Sequence, residues 1–355
     1  MRQLICMCHV LLLVCALSAC ATTAYYSQAL AGQWSLMRSA EPVSNLLADP
    51  GVPPGLKQQL RQALAIKSFA GDRLALPVGN TFSQYASLDR NHVVVNVVAV
   101  PEFALTPHRW CYPLIGCQSY RGYFDAGDAR QEARRWQQQG FDTVVAGVTA
   151  YSTLGWFNDP LHSGFTRLPD ERMAALIFHE LSHKVVYVAG DTAFNESFAT
   201  AVELEGLRLW LAEQGRSEDF QRAQEGQQQR SQTQALVTAA SRELASLYAR
   251  TDLPKEAMRA QKTAVFEQLR REYLALVRIW NRPGPLGSDP TTLNNAHLAL
   301  FRQYHQYVPG FRRLLQQHHY DFEAFYQAVR GLAQQPEASR RARLQDLAKG
   351  FHEYL

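Results

Sequence analysis

Residues 178–199 read FHELSHKVVYVAGDTAFNESFA. The first half contains His179-Glu180-Leu181-Ser182-His183. Two histidines four positions apart on a helix lie about 40° apart around its axis and one turn along it. Both imidazoles can then bind one metal ion, and zinc takes such a pair readily. Glu180 sits about 100° round from His179, where a carboxylate can reach water on the metal without ligating it. Residues 172–188 contain no Pro or Gly, so the spacing predicts a helix from Pro169 or Asp170 through this segment. Gly190 then breaks the helix, and Asp191 or Thr192 can cap the next one. A hairpin turning at Ala189-Gly190 sets position 196 level with position 183. Glu196, after an interval of twelve residues, is therefore the expected third ligand. His179, His183 and Glu196 leave a fourth position open for water. One turn and two turns on, Thr200 and Glu203 fall near His179, where either can orient a ligand imidazole.

Around this segment the chain reads as one α+β unit, mostly helical. Residues 92–100 (HVVVNVVAV) are β-branched and too short for a membrane span, so they read as a buried strand. A helix is expected from about Ala126 to Gln139, stopped by Gly140, and a second strand over Asp142–Ala150. From Pro169 onward the pattern is helical, with breaks at Asp252-Leu253-Pro254 and at 281–285. No clean boundary is visible; the expected organisation is a catalytic region, 20–210, with a small sheet and the HExxH helix, that resembles the zincins, and a large helical region, 211–355, packed on it.

The composition bounds the rest. The 355 residues are 46% hydrophobic and 19% charged, which excludes a disordered chain and a polytopic membrane protein. A net charge of +4 with no dense basic block gives no case for nucleic acid as a partner. Four of the six cysteines lie in the first twenty residues. There, Arg2 precedes an apolar run from Leu4 to Leu17, which fits the core of a secretory signal peptide, residues 1–19. Leu17-Ser18-Ala19-Cys20 resembles a bacterial lipobox, with cleavage before Cys20 and lipid on its thiol. An ordinary signal cleaved near Ala21 is the alternative. Ala21 stands where an inner-membrane retention aspartate would stand, so the analogy with Gram-negative lipoproteins favours the outer membrane, facing the periplasm. Cys111 and Cys117 remain in an oxidising compartment, with Pro113 and Gly116 able to turn the chain between them. A disulfide is expected there, with free thiols as the alternative.

The constellation resembles the gluzincin metallopeptidases. The wider text narrows that likeness: Tyr25-Tyr26-Ser27-Gln28-Ala29, Pro101-Glu102-Phe103, Trp110 to Cys117, Tyr120-Arg121-Gly122-Tyr123-Phe124, Tyr151 to Phe157, Phe178 to His183, Asn195-Glu196-Ser197-Phe198-Ala199, Leu293-Asn294-Asn295-Ala296 and Val308-Pro309-Gly310-Phe311. Together they look like a family of bacterial predicted zinc aminopeptidases, many with lipoprotein signals. The resemblance implies one Zn²⁺ on His179, His183 and Glu196, with Glu180 as the base toward water on the metal, and a peptide as substrate. Tyr151, at the end of the second strand, is the first candidate for an oxyanion donor, with Tyr187 and Tyr304 as alternatives. Glu102, just after the first strand, is the candidate to recognise a substrate α-amine. Two other readings stay open: a zinc endopeptidase of the envelope, and a non-catalytic envelope lipoprotein that keeps a zinc fold.

Overall fold

The computed structural model describes residues 25–90, 92–112, 116–148, 158–287 and 289–351. Of these, 63% are helical and the sheets have two or three strands, so the fold is α+β and mostly helical. Cys20 and Tyr151 lie outside the described residues.

The principal sheet has the order β6-β3-β7, with β3 at Val94–Pro101, β6 at Arg121–Tyr123 and β7 at Phe141–Val148. Both pairings are antiparallel, and Val97 stands opposite Arg121 and Val145. Apart from Asn96 the strand β3 is apolar, because both of its faces are covered. Val95 and Val97 pack on Ala129 and Ala133 of helix α4 (Ala126–Gln138). Val98 and Val100, on the opposite face, pack on Ala296 and Ala299 of α10 (Asn295–His305). Asn96 shares that second face and, with Val94, lines a large cavity. Thus β3 is both a core element and one wall of the site.

A second sheet joins β1 (Glu41–Pro42), β2 (Gln84–Ala86) and β8 (Leu161–His162). These short strands lie within or beside stretches that the sequence reads as helix or loop. Two or three residues carry too little alternation to be seen against helical neighbours. The third pair is a hairpin, β4 (Trp110–Tyr112) with β5 (Gly116–Gln118). Cys111 and Cys117 face each other across it and are joined by a disulfide.

The remaining elements are helices. Helix α1 covers 25–38. Helices α2 (Val43–Ala48), α3 (Pro54–Leu74) and α5 (Ser163–Thr166) precede the paired helices α6 (Asp170–Ser182) and α7 (Thr192–Glu213). Then come α8 (Ser217–Tyr248), α9 (Lys255–Trp280), α11 (Val308–Gln317), α12 (Phe322–Ala333) and α13 (Glu337–Lys349). One core cluster runs from Val43 to Leu347 and joins α3, α6 and α7 to α11, α12 and α13. Helices α8 and α9 form a separate cluster with Leu298 and Phe301 of α10.

The motif Leu293-Asn294-Asn295-Ala296 is the joint between the helical part and the principal sheet. Asn294 caps α10 by accepting from the Ala296 and His297 amides, and its own amide donates to the Thr143 carbonyl of β7. The Asn295 backbone amide donates to Asp142, and its side chain donates to the Glu102 carbonyl.

Candidate metal centre

Helix α6 starts on Pro169, and Asp170 and Glu171 in its first turn complement the helix dipole. Its apolar residues, Met173, Ala174, Ile177, Phe178 and Leu181, enter the main core. The helix ends at Ser182, six residues before the stop expected at Val188. Two features explain the early end. Val185 and Val186 are β-branched, and such residues lose side-chain freedom in a helix. Asn195 offers a stronger alternative: its side chain accepts from the Val188 amide at 2.8 Å and donates to the Val188 carbonyl at 2.9 Å. The hairpin is therefore two helices bridged by a clamped loop rather than two helices meeting at Gly190. His183 keeps helical dihedrals as the C-cap, so both imidazoles still share one side, with ring centroids 5.0 Å apart.

Helix α7 begins on Asp191, which accepts from the Phe194 amide. Arg340 of α13 grips the other oxygen of Asp191 at 2.7 and 3.1 Å. Gly190 is required at the turn for two reasons. Its φ is +81°, and a Cβ there would lie 2.8 Å from Arg109 Nη2. That guanidinium donates to the Gly190 carbonyl at 2.6 Å and to the Cys117 carbonyl at 3.3 Å. The disulfide hairpin thus buttresses the loop between the ligand helices. Gln118 adds to this by donating to the Tyr187 hydroxyl at 2.7 Å and accepting from Thr192 at 3.3 Å.

His179, His183 and Glu196 are buried, and one ligand atom from each lies within 4.8 Å of the others. Glu196 Oε2 is 3.3 Å from His179 Nε2 and 3.8 Å from His183 Nε2. Donors about 2.1 Å from a tetrahedral zinc stand roughly 3.4 Å apart, so these distances fit one shared ion. The group can hold a metal ion. A His₂Glu set with an open side is a zinc donor set in its chemistry. His179 Nδ1 faces Glu203 Oε2 at 3.0 Å, which directs Nε2 toward Glu196. Thr200, the other residue expected in that role, lines the cavity while Glu203 makes the contact. His183 Nδ1 is buried and has no hydrogen-bond partner.

The electrostatics follow from this packing. Burial works against the charged form of His179, yet its hydrogen bonds to Glu196 and Glu203 prevail and hold it well above its ordinary value. Burial pushes His183 down to about 4, so it is neutral and free to ligate. Burial would raise Glu196, but the His183 and His179 imidazoles hold it below the usual carboxylate range. Glu180 is pushed up to about 8, chiefly by burial; His179 opposes the rise, and the charges of Glu196 and Asp159 add to it. The donor set thus attracts positive charge at its centre, with the buried Glu180 carboxyl beside it.

The three donors and Glu180 line a cavity of ≈ 1220 Å³. Its wall also includes Tyr25, Tyr120, residues 146–148 at the end of β7, Arg222 and Arg282. Tyr187 is on the wall. Tyr120 is there too, and sequence reasoning passed it over as a site residue. Burial and the charges of Glu196, Tyr187 and Glu180 push its phenol up. It follows the disulfide hairpin directly, which is the signal that could have marked it. The side chain of Tyr304 is outside what is described.

The structure does not bring Glu102 to the site. Its carboxylate receives Arg259 at 2.6 and 3.1 Å, and that hydrogen-bonded pairing holds it below its ordinary value. The end of β3 carries Glu102 toward α9, away from the ligand helices. Proximity to a strand end could not reveal which end faces the cavity.

A family model described as "Putative aminopeptidase" matches residues 24–344. The chain belongs to this family. Membership supports peptidase activity at a coarse level, and a peptide is the substrate such an enzyme acts on. No curated protein and no solved structure matches the chain.

Proposed function

We propose that this member of the aminopeptidase family is a zinc-dependent peptide hydrolase that removes residues from the amino terminus of peptides. The observation that carries the proposal is the buried His179–His183–Glu196 group opening onto the large cavity with Glu180 beside it. Zinc held there would supply a Lewis acid for the scissile carbonyl and for water. The chain's own residues do the rest. Glu180 accepts a proton from the attacking water and returns it to the leaving amine. Glu203 accepts from His179 Nδ1–H, so one tautomer and one ring orientation persist through the cycle. Tyr187 and Tyr120 line the same cavity and are candidates, beside Tyr151, to donate to a developing oxyanion. Strand β7 is a sheet edge whose last residues line the cavity, so an extended peptide can pair with it.

One observation favours an endopeptidase as the second reading. The other carboxylates on the cavity wall, Glu171 and Asp219, are paired with Arg216, which leaves neither free to take a substrate amine. Aminoacyl-naphthylamides with free and acetylated N-termini separate the two readings. Cleavage of only the free series supports the exopeptidase; cleavage of only the blocked series overturns it. We further infer that Cys20 is the lipidated first residue of the mature chain, held at the outer membrane and facing the periplasm. Among the described residues, no helix is long and apolar enough to cross a membrane.

A further inference from the structure

Helix α1 has two faces of opposite character. The inner face is fixed to the catalytic body. The Tyr25 ring lies 5.6 Å from Tyr112 and 5.5 Å from Tyr123, with the Arg121 guanidinium 3.9 Å above it. Gln28 donates to the Gly122 carbonyl and accepts from the Phe124 amide. A Cβ on Gly32 would lie 2.1 Å from the Phe124 ring, so only glycine permits this approach. Leu36 closes the contact from the core cluster it shares with Val93 and Val94.

The outer face consists of Ser27, Leu30, Ala31, Trp34, Ser35 and Arg38, all exposed and all on one helical stripe. Leu30 is 71% exposed and Trp34 is 70% exposed, one turn apart. Such a pair on a helix that is otherwise well packed marks a surface meant for a partner. Two facts identify the partner. No acidic residue occurs before Glu41, and Arg38 is the sole formal charge in residues 21–40, so nothing on this face repels an anionic surface. Five residue steps separate Cys20 from Tyr25, a span of at most about 18 Å.

We propose that the outer face of α1 lies on the lipid bilayer, with Trp34 and Leu30 seated at the headgroup–acyl boundary. This rests on the lipoprotein reading of Cys20, since a lipid-anchored residue 20 places the helix beside the membrane. Trp is suited to this interface because its ring is apolar and its N–H is wet. An interfacial helix adds buried apolar area to the acyl anchor. Because Tyr25 and Ala29 of the same helix belong to the cavity wall, seating α1 also fixes the orientation of the cavity relative to the bilayer.

The test uses the full chain reconstituted into phosphatidylethanolamine–phosphatidylglycerol vesicles with bromine on shallow acyl carbons. Tryptophan emission should be quenched, and Trp34→Phe should lose most of that quenching while hydrolysing soluble peptides at the wild-type rate. Leu30→Glu, which keeps the reporter, should weaken the quenching as well. Equal quenching in wild type and Trp34→Phe would overturn the proposal. So would efficient crosslinking of Leu30→Cys between two copies in the same vesicles, which would make a second chain the occupant. The intact mass separates the two layers of inference. Quenching without a lipid on Cys20 sustains the docking face and removes the anchor; lipid without quenching does the reverse.

Discussion

In the proposed mechanism Glu180 is the residue on which the chemistry turns. It is buried, next to a metal ligand, and makes neither of the two ligand contacts of Glu196. Replacing it by Gln removes the base and leaves the donor set intact. Glu180→Gln should retain full zinc content and lose about 10²–10⁴ in kcat, measured on the same preparation. Glu203 acts one contact further out. Glu203→Ala should weaken zinc binding about 10–100-fold in a chelator competition, because His179 loses the partner that fixes its tautomer. An unchanged affinity would show that the 3.0 Å contact is incidental. The four central residues were legible in the sequence because helical spacing is local arithmetic: His179, Glu180 and His183 are fixed by period, and Glu196 by one hairpin. Glu203 was legible for the same reason, two turns beyond. Glu102, the candidate for a substrate amine, has its carboxylate paired with Arg259 of α9, 157 residues away, a contact that no local pattern reveals. Tyr120 was passed over because its one local signal, its place directly after the Cys111–Cys117 hairpin, does not by itself separate a cavity tyrosine from a packing one.

At the scale of elements, the α6–α7 hairpin is held from outside by the disulfide hairpin through Arg109 and Gln118. Closing so short a loop stabilises the fold by about 2 kcal/mol in the chain-entropy account. Reduction, or Cys111→Ser with Cys117→Ser, should lower unfolding stability by about that amount and weaken zinc binding, as read by denaturant titration and chelator competition. A drop in stability with unchanged zinc affinity would deny the buttressing role. The junction of β8 and α5 carries a pH dependence of its own. His162 is pushed down to about 4, first by burial, and its Nδ1 accepts from the Gly164 amide. In the unfolded chain it titrates near 6.5. The unfolded chain therefore binds more protons between these values, and stability is full above pH 6.5 and falls as pH drops toward 4. The loss is about 3 kcal/mol from this residue. His162→Asn keeps a capping acceptor and should flatten that part of the stability–pH curve; an unchanged slope would assign it elsewhere. The sequence located β3, β7, α4 and α9 within a few residues, because a long β-branched run or clear stop signals mark each of them. The early end of α6 escaped it, since the Asn195 clamp is a contact across the hairpin.

For the whole molecule, the C-terminal helices are part of the structure that holds the site. Phe311 of α11 packs against Phe194 and Phe198 of α7, and Phe325 and Tyr326 of α12 add to Phe198. Arg340 of α13 holds the Asp191 cap. A chain cut after position 306 would expose these rings and leave the start of α7 unbraced. It should be far more sensitive to protease than the full chain and should bind zinc poorly, as read by limited proteolysis and metal analysis. A helical C-terminal half was legible in the sequence. Its role as a brace was not, because the core that crosses from Val43 to Leu347 is set by tertiary packing. The central claim, that one zinc ion is held by His179, His183 and Glu196, is tested most directly by diffraction from zinc-loaded crystals at the zinc absorption edge. The account predicts a single anomalous peak about 2.0–2.2 Å from both Nε2 atoms and a Glu196 carboxylate oxygen, with Glu180 outside ligand distance. A peak bound elsewhere, or none between these three residues, would contradict it.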